Sequence, residues 1–265
     1  RRWPGQALRL GVSRAGIALV RTSRWGGAHE TLALTRLDDS AGVDAIGPAL
    51  HGLMAEVACA GWPLSVVLAD DLVRLWQVAP PPGCTRMGDL EAAAALRFQS
   101  LFGGTAAGWR IAADWDPLRP FLAAAMPHAL LATLEQAARD RRCHLVEAVP
   151  QFVAALNQWR RVRRADAWFG MYHGAVLTLA VSRQGALEGI RATLAPPDAG
   201  RDWLDAHVTR EALRLGVEPP QRLQLCGSVP SRWNGAAGDI ACSMLGGAVA
   251  GLSELEQLAL TGAMR

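Results

Sequence analysis

The residues with the clearest claim to chemistry sit at turns. Gly11-Val12-Ser13-Arg14-Ala15-Gly16 and Tyr172-His173-Gly174 each follow a short apolar run, and successive backbone N–H groups in such turns can cradle an anion without any charged side chain nearby. A third turn, Cys226-Gly227-Ser228, closes another apolar run. Gly11, Ser13, Arg14, Gly16, His173, Gly174, Gly227 and Ser228 are therefore the candidates for holding an anion or a nucleotide. The same glycines would also serve simply to permit tight hairpins.

Other chemistries are excluded by residue type. All 27 basic side chains are arginine and no lysine occurs, so a phosphate-loop NTPase, a Schiff-base enzyme and a protein kinase cannot be built. No G-x-S-x-G is present, since the Gly11–Gly16 stretch has one residue too many for a nucleophile elbow. The six histidines show no H-x-x-x-H or H-E-x-x-H spacing. Asp114 and Asp116 would share one strand face, yet Asp-Trp-Asp-Pro reads more simply as a strand end before proline. Five cysteines at wide spacing, without C-x-x-C, argue against a disulfide framework or a zinc ribbon and suit a reducing compartment. Arg160, Arg161, Arg163 and Arg164 form a basic cluster, read as a solvated helix end rather than a nucleic-acid patch. The net charge of +3 does not force such a partner.

These turns need a scaffold. With 265 residues, 51% apolar and 19% charged, the chain can bury one large core or two lobes. Its apolar runs fall short of the ~20 residues that span a bilayer. The opening Arg1-Arg2-Trp3-Pro4-Gly5 lacks a cationic-then-apolar segment and reads as a trimmed end. Strands are expected over 7–12, 16–22 and 31–37, with a turn at Asp38-Asp39-Ser40, a helix over 43–60 and a strand over 64–69. A strand over 72–78 stops at three prolines, Pro80-Pro81-Pro82. A helix over 87–102, strands over 109–115 and 120–126, a helix over 127–141, a strand over 144–148 and a helix over 151–164 follow. From Asp166 the opening pattern returns: strands over 167–171, 175–182 and 186–194 with turns at Tyr172-His173-Gly174 and Gln184-Gly185, a helix over 201–215 and a strand over 222–226. Three strands, a helix and a strand thus occur twice, about 160 residues apart.

This order resembles the actin/hexokinase-like ATPase fold, an α/β architecture of two ribonuclease H-like lobes across a cleft. Within it, the chain is most similar to the PilM proteins of type IV pilus assembly and the GspL cytoplasmic domain of type II secretion. The resemblance is carried by Leu8-Arg9-Leu10-Gly11-Val12-Ser13, by Leu64 to Asp70 with Val73-Arg74, and by the Glu91–Phe102 helix with Phe98, Phe102 and Gly103. It implies a first lobe over 1–164 with an inserted subdomain around 72–148, and a second lobe over 165–265. Hydrolysing members of this fold place a metal-holding Asp two residues before the first-turn glycine; here Arg9 stands before Gly11, and Trp168 before Gly170. Arginine cannot hold Mg²⁺, which takes oxygen ligands. Asp166 lies four before Gly170, too distant to substitute, and one glycine of the family's nucleoside-side pair is missing at Gly227-Ser228.

The resemblance therefore implies a cytoplasmic scaffold, peripheral to the inner membrane, with no resident cofactor. ATP binding stays open in that reading where hydrolysis does not. Its expected partners are the tail of a PilN-like or other platform protein and an assembly or secretion ATPase, with no nucleic acid and no direct membrane span. The alternative is an active ATPase or small-molecule kinase of the same superfamily. Ten tryptophans against one tyrosine and five phenylalanines mark Trp62, Trp76 and Trp115 as candidates to line a partner groove.

Overall fold

In the computed structural model the described residues are 5–23, 28–38, 42–183, 186–236, 238–246 and 251–263. The expected turns at Asp39-Ser40 and Gln184-Gly185, and the opening residues 1–4, lie outside them. β1 (Gln6–Ser13) and β2 (Gly16–Ser23) form an antiparallel hairpin, and β2 pairs with β3 (His29–Arg36). Leu8, Leu10 and Val12 are buried at every second position of β1, which is the strand period with one face on the core. α1 (Ile46–Ala55) packs on β2 and β3. It is shorter than the expected 43–60, because Val43–Ala45 winds as a separate 3-10 turn and the chain leaves the helix at Glu56. β4 (Pro63–Leu68) runs parallel to β1.

Next come β5 (Arg74–Val78), α2 (Met87–Phe102), β6 (Trp109–Ala113) and β7 (Phe121–Pro127), with the strands in an antiparallel sheet of order β5-β7-β6. α3 (His128–Asp140) leads to β8 (His144–Pro150), which lies parallel to β4. The first sheet thus has the order β3-β2-β1-β4-β8. α4 (Gln151–Gln158) ends six residues before the expected Arg164. The arginine run beyond it offers no apolar stripe to bury, and the Gln158 side chain accepts a hydrogen bond from Gly262 N at 2.9 Å.

β9 (Trp168–His173), β10 (Val176–Arg183), β11 (Ala186–Leu194), α5 (Arg201–Leu215) and β12 (Arg222–Gly227) repeat the opening order. β9 takes in Tyr172 and His173, expected in the turn, because Gly174 (φ 54°) and Ala175 (φ 65°) alone turn the chain. Two successive positive φ values match the right-handed twist of the flanking strands. β13 (Ala241–Met244) then pairs parallel to β12, giving a second sheet of order β11-β10-β9-β12-β13. The two sheets share one strand order and one set of directions.

Contacts divide the chain into two units, Arg1–Val73 with His128–Arg160 and Ala248–Arg265, and Arg74–Pro127 with Arg161–Gly247. This differs from the expected boundaries at both ends. The excursion closes at Pro127 instead of around 148, because α3 packs on α1 and β8 completes the first sheet. The closing residues also leave the expected second lobe: α6 (Glu254–Leu260) lies on β1, β2 and β4, burying Leu255, Leu258, Ala259 and Leu260. Neither β13 nor α6 was expected. Ser253-x-x-Glu256 carried a legible signal, because it forms a reciprocal capping box at the start of α6. No helix among the described residues is long and apolar enough to cross a membrane.

Candidate functional site

The two hairpin corners can be aligned without reference to glycine. Ser13 faces Gly16 across the first turn, and His173 faces Val176 across the second. With Ser13 set on His173, the parallel pairs Leu8–Leu64 to Val12–Leu68 fall on Trp168–Leu223 to Tyr172–Gly227. Even the strand-end bonds agree: Ala69 N donates to Val12 O and Ser228 N to Tyr172 O, both at 2.9 Å. In this register the counterpart of Arg9 is Phe169, not Trp168, and Gly11 answers to Met171. Aligning by the glycines slips one residue, and one residue in a strand changes the face.

Gly11 is a packing residue. A Cβ there would stand 2.7 Å from Ala259 N and 2.8 Å from Leu255 O, so the glycine lets the backbone of α6 rest on β1. Gly16 (φ 151°) has the same character, with Thr35 O only 2.4 Å from its Cβ position. The buried Ser13 hydroxyl donates to Gly16 O at 3.2 Å, inside the hairpin. Arg14 lies against Asp71 at 3.5 Å. Burial raises the Asp71 carboxyl above the usual range, although Arg14 draws it down. Asp71 Oδ1 is buried without a hydrogen-bond partner, and the neighbouring Asp70 accepts from Phe152 N at 3.1 Å in the first turn of α4. Two carboxylates thus follow β4 beside the turn proposed to hold an anion. The sequence displays Asp70 at the end of the Leu64–Asp70 segment and Asp71 just after it, but nothing local shows which strand end they meet.

Arg9 is engaged by the closing helix. Its Nε donates to Ala259 O at 2.7 Å and its Nη2 to Thr261 O at 2.6 Å. These are carbonyls at the C-terminal end of α6, which has no basic residue in its last turn. A cation there meets both the unpaired carbonyls and the negative end of the helix dipole. Glu147 lies 4.0 Å away. Burial lowers the guanidinium pKa while Glu147 raises it.

The second corner is apolar. His173 is 7% exposed, and burial lowers its pKa to about 4, so the ring is neutral at pH 7. Phe169 and Met171 are buried on the same strand face, with the Arg163 guanidinium 5.6 Å from the Phe169 ring centre. At Gly227 (φ 90°) a Cβ would meet Tyr172 O at 2.3 Å, so this glycine also serves the backbone. Ser228 Oγ is buried and unpartnered. Around the first corner α6 covers Gly11 and Asp71 lies against Arg14, while the histidine ring of the second corner is neutral at pH 7.

The three tryptophans differ in burial. Trp76 is 1% exposed in the core of the β5-β7-β6 sheet with Phe98 and Phe121, so its expected place in a groove is closed by packing. Trp115 is half-buried at the edge of that cluster, 5.7 Å from Phe121. Trp62 is half-buried in the other unit, just before β4. Asp114 and Asp116 lie beyond β6, and Asp116 Oδ1 accepts from Leu118 N and Arg119 N in a turn. In the basic cluster, Arg164 pairs with Asp166 at 2.9 Å.

Twin sheets of order 3-2-1-4-5, each with three antiparallel strands followed by two parallel ones, decide the architecture. The chain has the actin-like ATPase fold. A solved structure of the cytoplasmic domain of EpsL, an inner-membrane component of the type II secretion system of Vibrio cholerae, matches this fold at TM-score 0.63 and 14% identity, over 97% of this chain and 94% of that one. An actin-like ATPase-fold protein of unknown function from Bacteroides thetaiotaomicron matches at TM-score 0.59 and 10% identity, over 86% and 84%. The PilM-PilN type IV pilus biogenesis complex matches at TM-score 0.48 and 16% identity, over 77% and 65%. No protein-family model and no curated protein sequence matches the chain.

Proposed function

We propose that this chain is a cytoplasmic scaffold of a type II secretion or type IV pilus inner-membrane platform, binding the cytoplasmic tail of a PilN-like or other membrane partner without hydrolysing ATP. The observation that carries the reading is Arg9, spent on the carbonyls of α6 where a hydrolase of this fold needs a carboxylate. The near-complete overlap with the EpsL cytoplasmic domain supports the setting. Trp62 and Trp115, half-buried in separate units, are the side chains offered to the partner. The protein would lie in the cytoplasm, held at the membrane by that partner.

Two measurements test this. Calorimetry and phosphate release with ATP and Mg²⁺ on the purified chain should show no metal-dependent turnover; sustained release would establish the ATPase or kinase alternative. Co-purification from the native host should bring down an inner-membrane platform protein, and Trp115→Ala or Trp62→Ala should weaken that association. Recovery of the chain free of any membrane protein, with both variants indistinguishable from it, would defeat the scaffold reading.

A further inference from the structure

The first unit holds two buried thiols whose loops are fastened together. Cys59 follows α1, and Cys143 lies between α3 and β8. Cys143 Sγ donates to the backbone oxygen of Cys59 at 3.2 Å, and the Cys59 side chain is among the groups that raise the Cys143 thiol. Both are free in this structure. The surrounding backbone is pinned from both sides: Gly61 N to Arg142 O at 2.7 Å, Trp62 N to Cys59 O at 3.1 Å, His144 N to Trp62 O at 2.8 Å and Cys143 N to Ala138 O at 2.8 Å. Arg141 Nη2 adds bonds to Ala55 O and Val57 O at 3.1 and 3.2 Å. Arg142 takes φ 55° to make the turn into Cys143. Sulfur atoms carried on backbones held this way can approach without either loop refolding.

We propose that Cys59 and Cys143 are a dithiol that closes to a disulfide on exposure to a thiol oxidant such as a hydroperoxide, stapling the loop after α1 to the loop before β8. Cys143, 8% exposed against 1% for Cys59, is the sulfur attacked first. Its thiolate displaces an alkoxide from the hydroperoxide, which leaves as the alcohol, and Cys143 becomes a sulfenic acid. The Cys59 thiolate then attacks that sulfur, the S–O bond breaks, water leaves, and the S–S bond forms. Two thiols and one hydroperoxide give one disulfide, one alcohol and one water; the sulfurs lose two electrons and the peroxide gains them. Burial pushes the Cys143 thiol up to about 12, so little thiolate is present at neutral pH and closure is slow beside that of an exposed thiol.

The consequence follows from the chain path. The bridge joins residues 84 positions apart and encloses β4 and the whole Arg74–Pro127 excursion. It would tie Arg1–Val73 to His128–Arg160, two of the three pieces of the first unit, independently of the connection through the second unit. A loop of that length removes much unfolded-state freedom when closed.

The test uses the full folded chain, oxidised with tert-butyl hydroperoxide or with diamide, then alkylated, digested and read by mass spectrometry. A single crosslinked peptide joining Cys59 to Cys143 is expected, with a raised Tm that falls back on reduction. After a proteolytic cut within 79–120, the oxidised chain should run as one species without reductant and as two with it. Cys143→Ser and Cys59→Ala should each abolish the crosslink and the Tm rise while keeping the reduced circular dichroism spectrum. Cys84, half-buried and outside the pair, reports that the oxidant acted. Full alkylation of both Cys59 and Cys143 after Cys84 has been oxidised would overturn the proposal. So would a crosslink that appears only in urea, or one that joins other cysteines.

Discussion

The two hairpin corners share a backbone and differ in what rests on it. On one face of β1 stand Arg9, Gly11 and Ser13; the matching face of β9 carries Phe169, Met171 and His173. The first set is shaped to receive another piece of backbone, with a missing side chain where α6 lies and a guanidinium at the helix end. The second fills the same positions with its own buried side chains. A repeated topology therefore repeats hydrogen-bond registers, which are local, while each copy solves separately the problem of covering its outer face. In the first copy, that solution uses Arg9 and Gly11 of β1.

The sharpest way to break the comparison is to copy one corner onto the other. Gly11→Met installs the residue of the second sheet against the α6 backbone and should cost at least about 3 kcal/mol in urea unfolding, since neither backbone can yield as a side chain would. Gly170→Ala meets only the methyl ends of Leu225 and Leu179 at 2.7 and 3.0 Å and should cost about 1–2 kcal/mol. Equal losses would show that α6 is not fixed where it lies.

Arg9→Met keeps much of the stem but leaves the Ala259 and Thr261 carbonyls unpaired. A loss of about 2–3 kcal/mol is expected for a charged donor serving two acceptors. Hydrogen exchange should quicken in α6 before it changes in β9–β10. Arg9→Asp should be less stable still and should not gain ATP hydrolysis.

Acid should distinguish the corners, because His173 titrates and its counterpart Ser13 does not. The His173 ring titrates near 4 in the folded protein against 6.5 when free. Above pH 6.5 neither state takes the proton, and the contribution is constant. As pH falls from 6.5 towards 4, the unfolded chain binds a proton that the folded chain refuses, so stability drops, by about 2 kcal/mol at pH 5. His173→Gln should flatten that slope, with exchange at β9–β10 no longer rising in acid. A slope unchanged in the variant would place the titrating group elsewhere.

The smallest contrast lies in the turns themselves. Ala175 sits at φ 65°, whereas no positive φ occurs at Ala15. Ala175→Gly should stabilise by roughly 0.5–1 kcal/mol by relieving the left-handed alanine. Ala15→Gly should destabilise by about the same amount, through added freedom in the unfolded chain. Thermal melts of both variants give the comparison directly, and shifts of the same sign would refute it.

Much of the architecture was legible. α2 and α5 run over the residues their apolar spacing indicated, 87–102 and 201–215, and the doubled order of strands and helix was readable from turns and alternation. The site was less so. Glycine looked like a marker of matching positions, yet Gly11 and Gly170 lie on opposite faces of their strands. Trp76 looked like an anchor for a partner and is core, since an aromatic on a strand carries no sign of what lies above it. Asp71 was visible as an acid but not as the neighbour of Arg14, because the two lie 57 positions apart in the chain.

From its residues alone this chain specifies most of its strands and helices, that the pattern comes round twice, and that β1 carries an arginine two residues before its glycine. Those facts depend on side-chain period and turn chemistry, which act over a few residues. Only the folded molecule decides that the arginine holds the end of α6, that the last helix belongs with the first sheet, and that the loops carrying Cys59 and Cys143 meet. Each of these joins segments 84 or more positions apart, and no local preference selects among the surfaces such segments might cover.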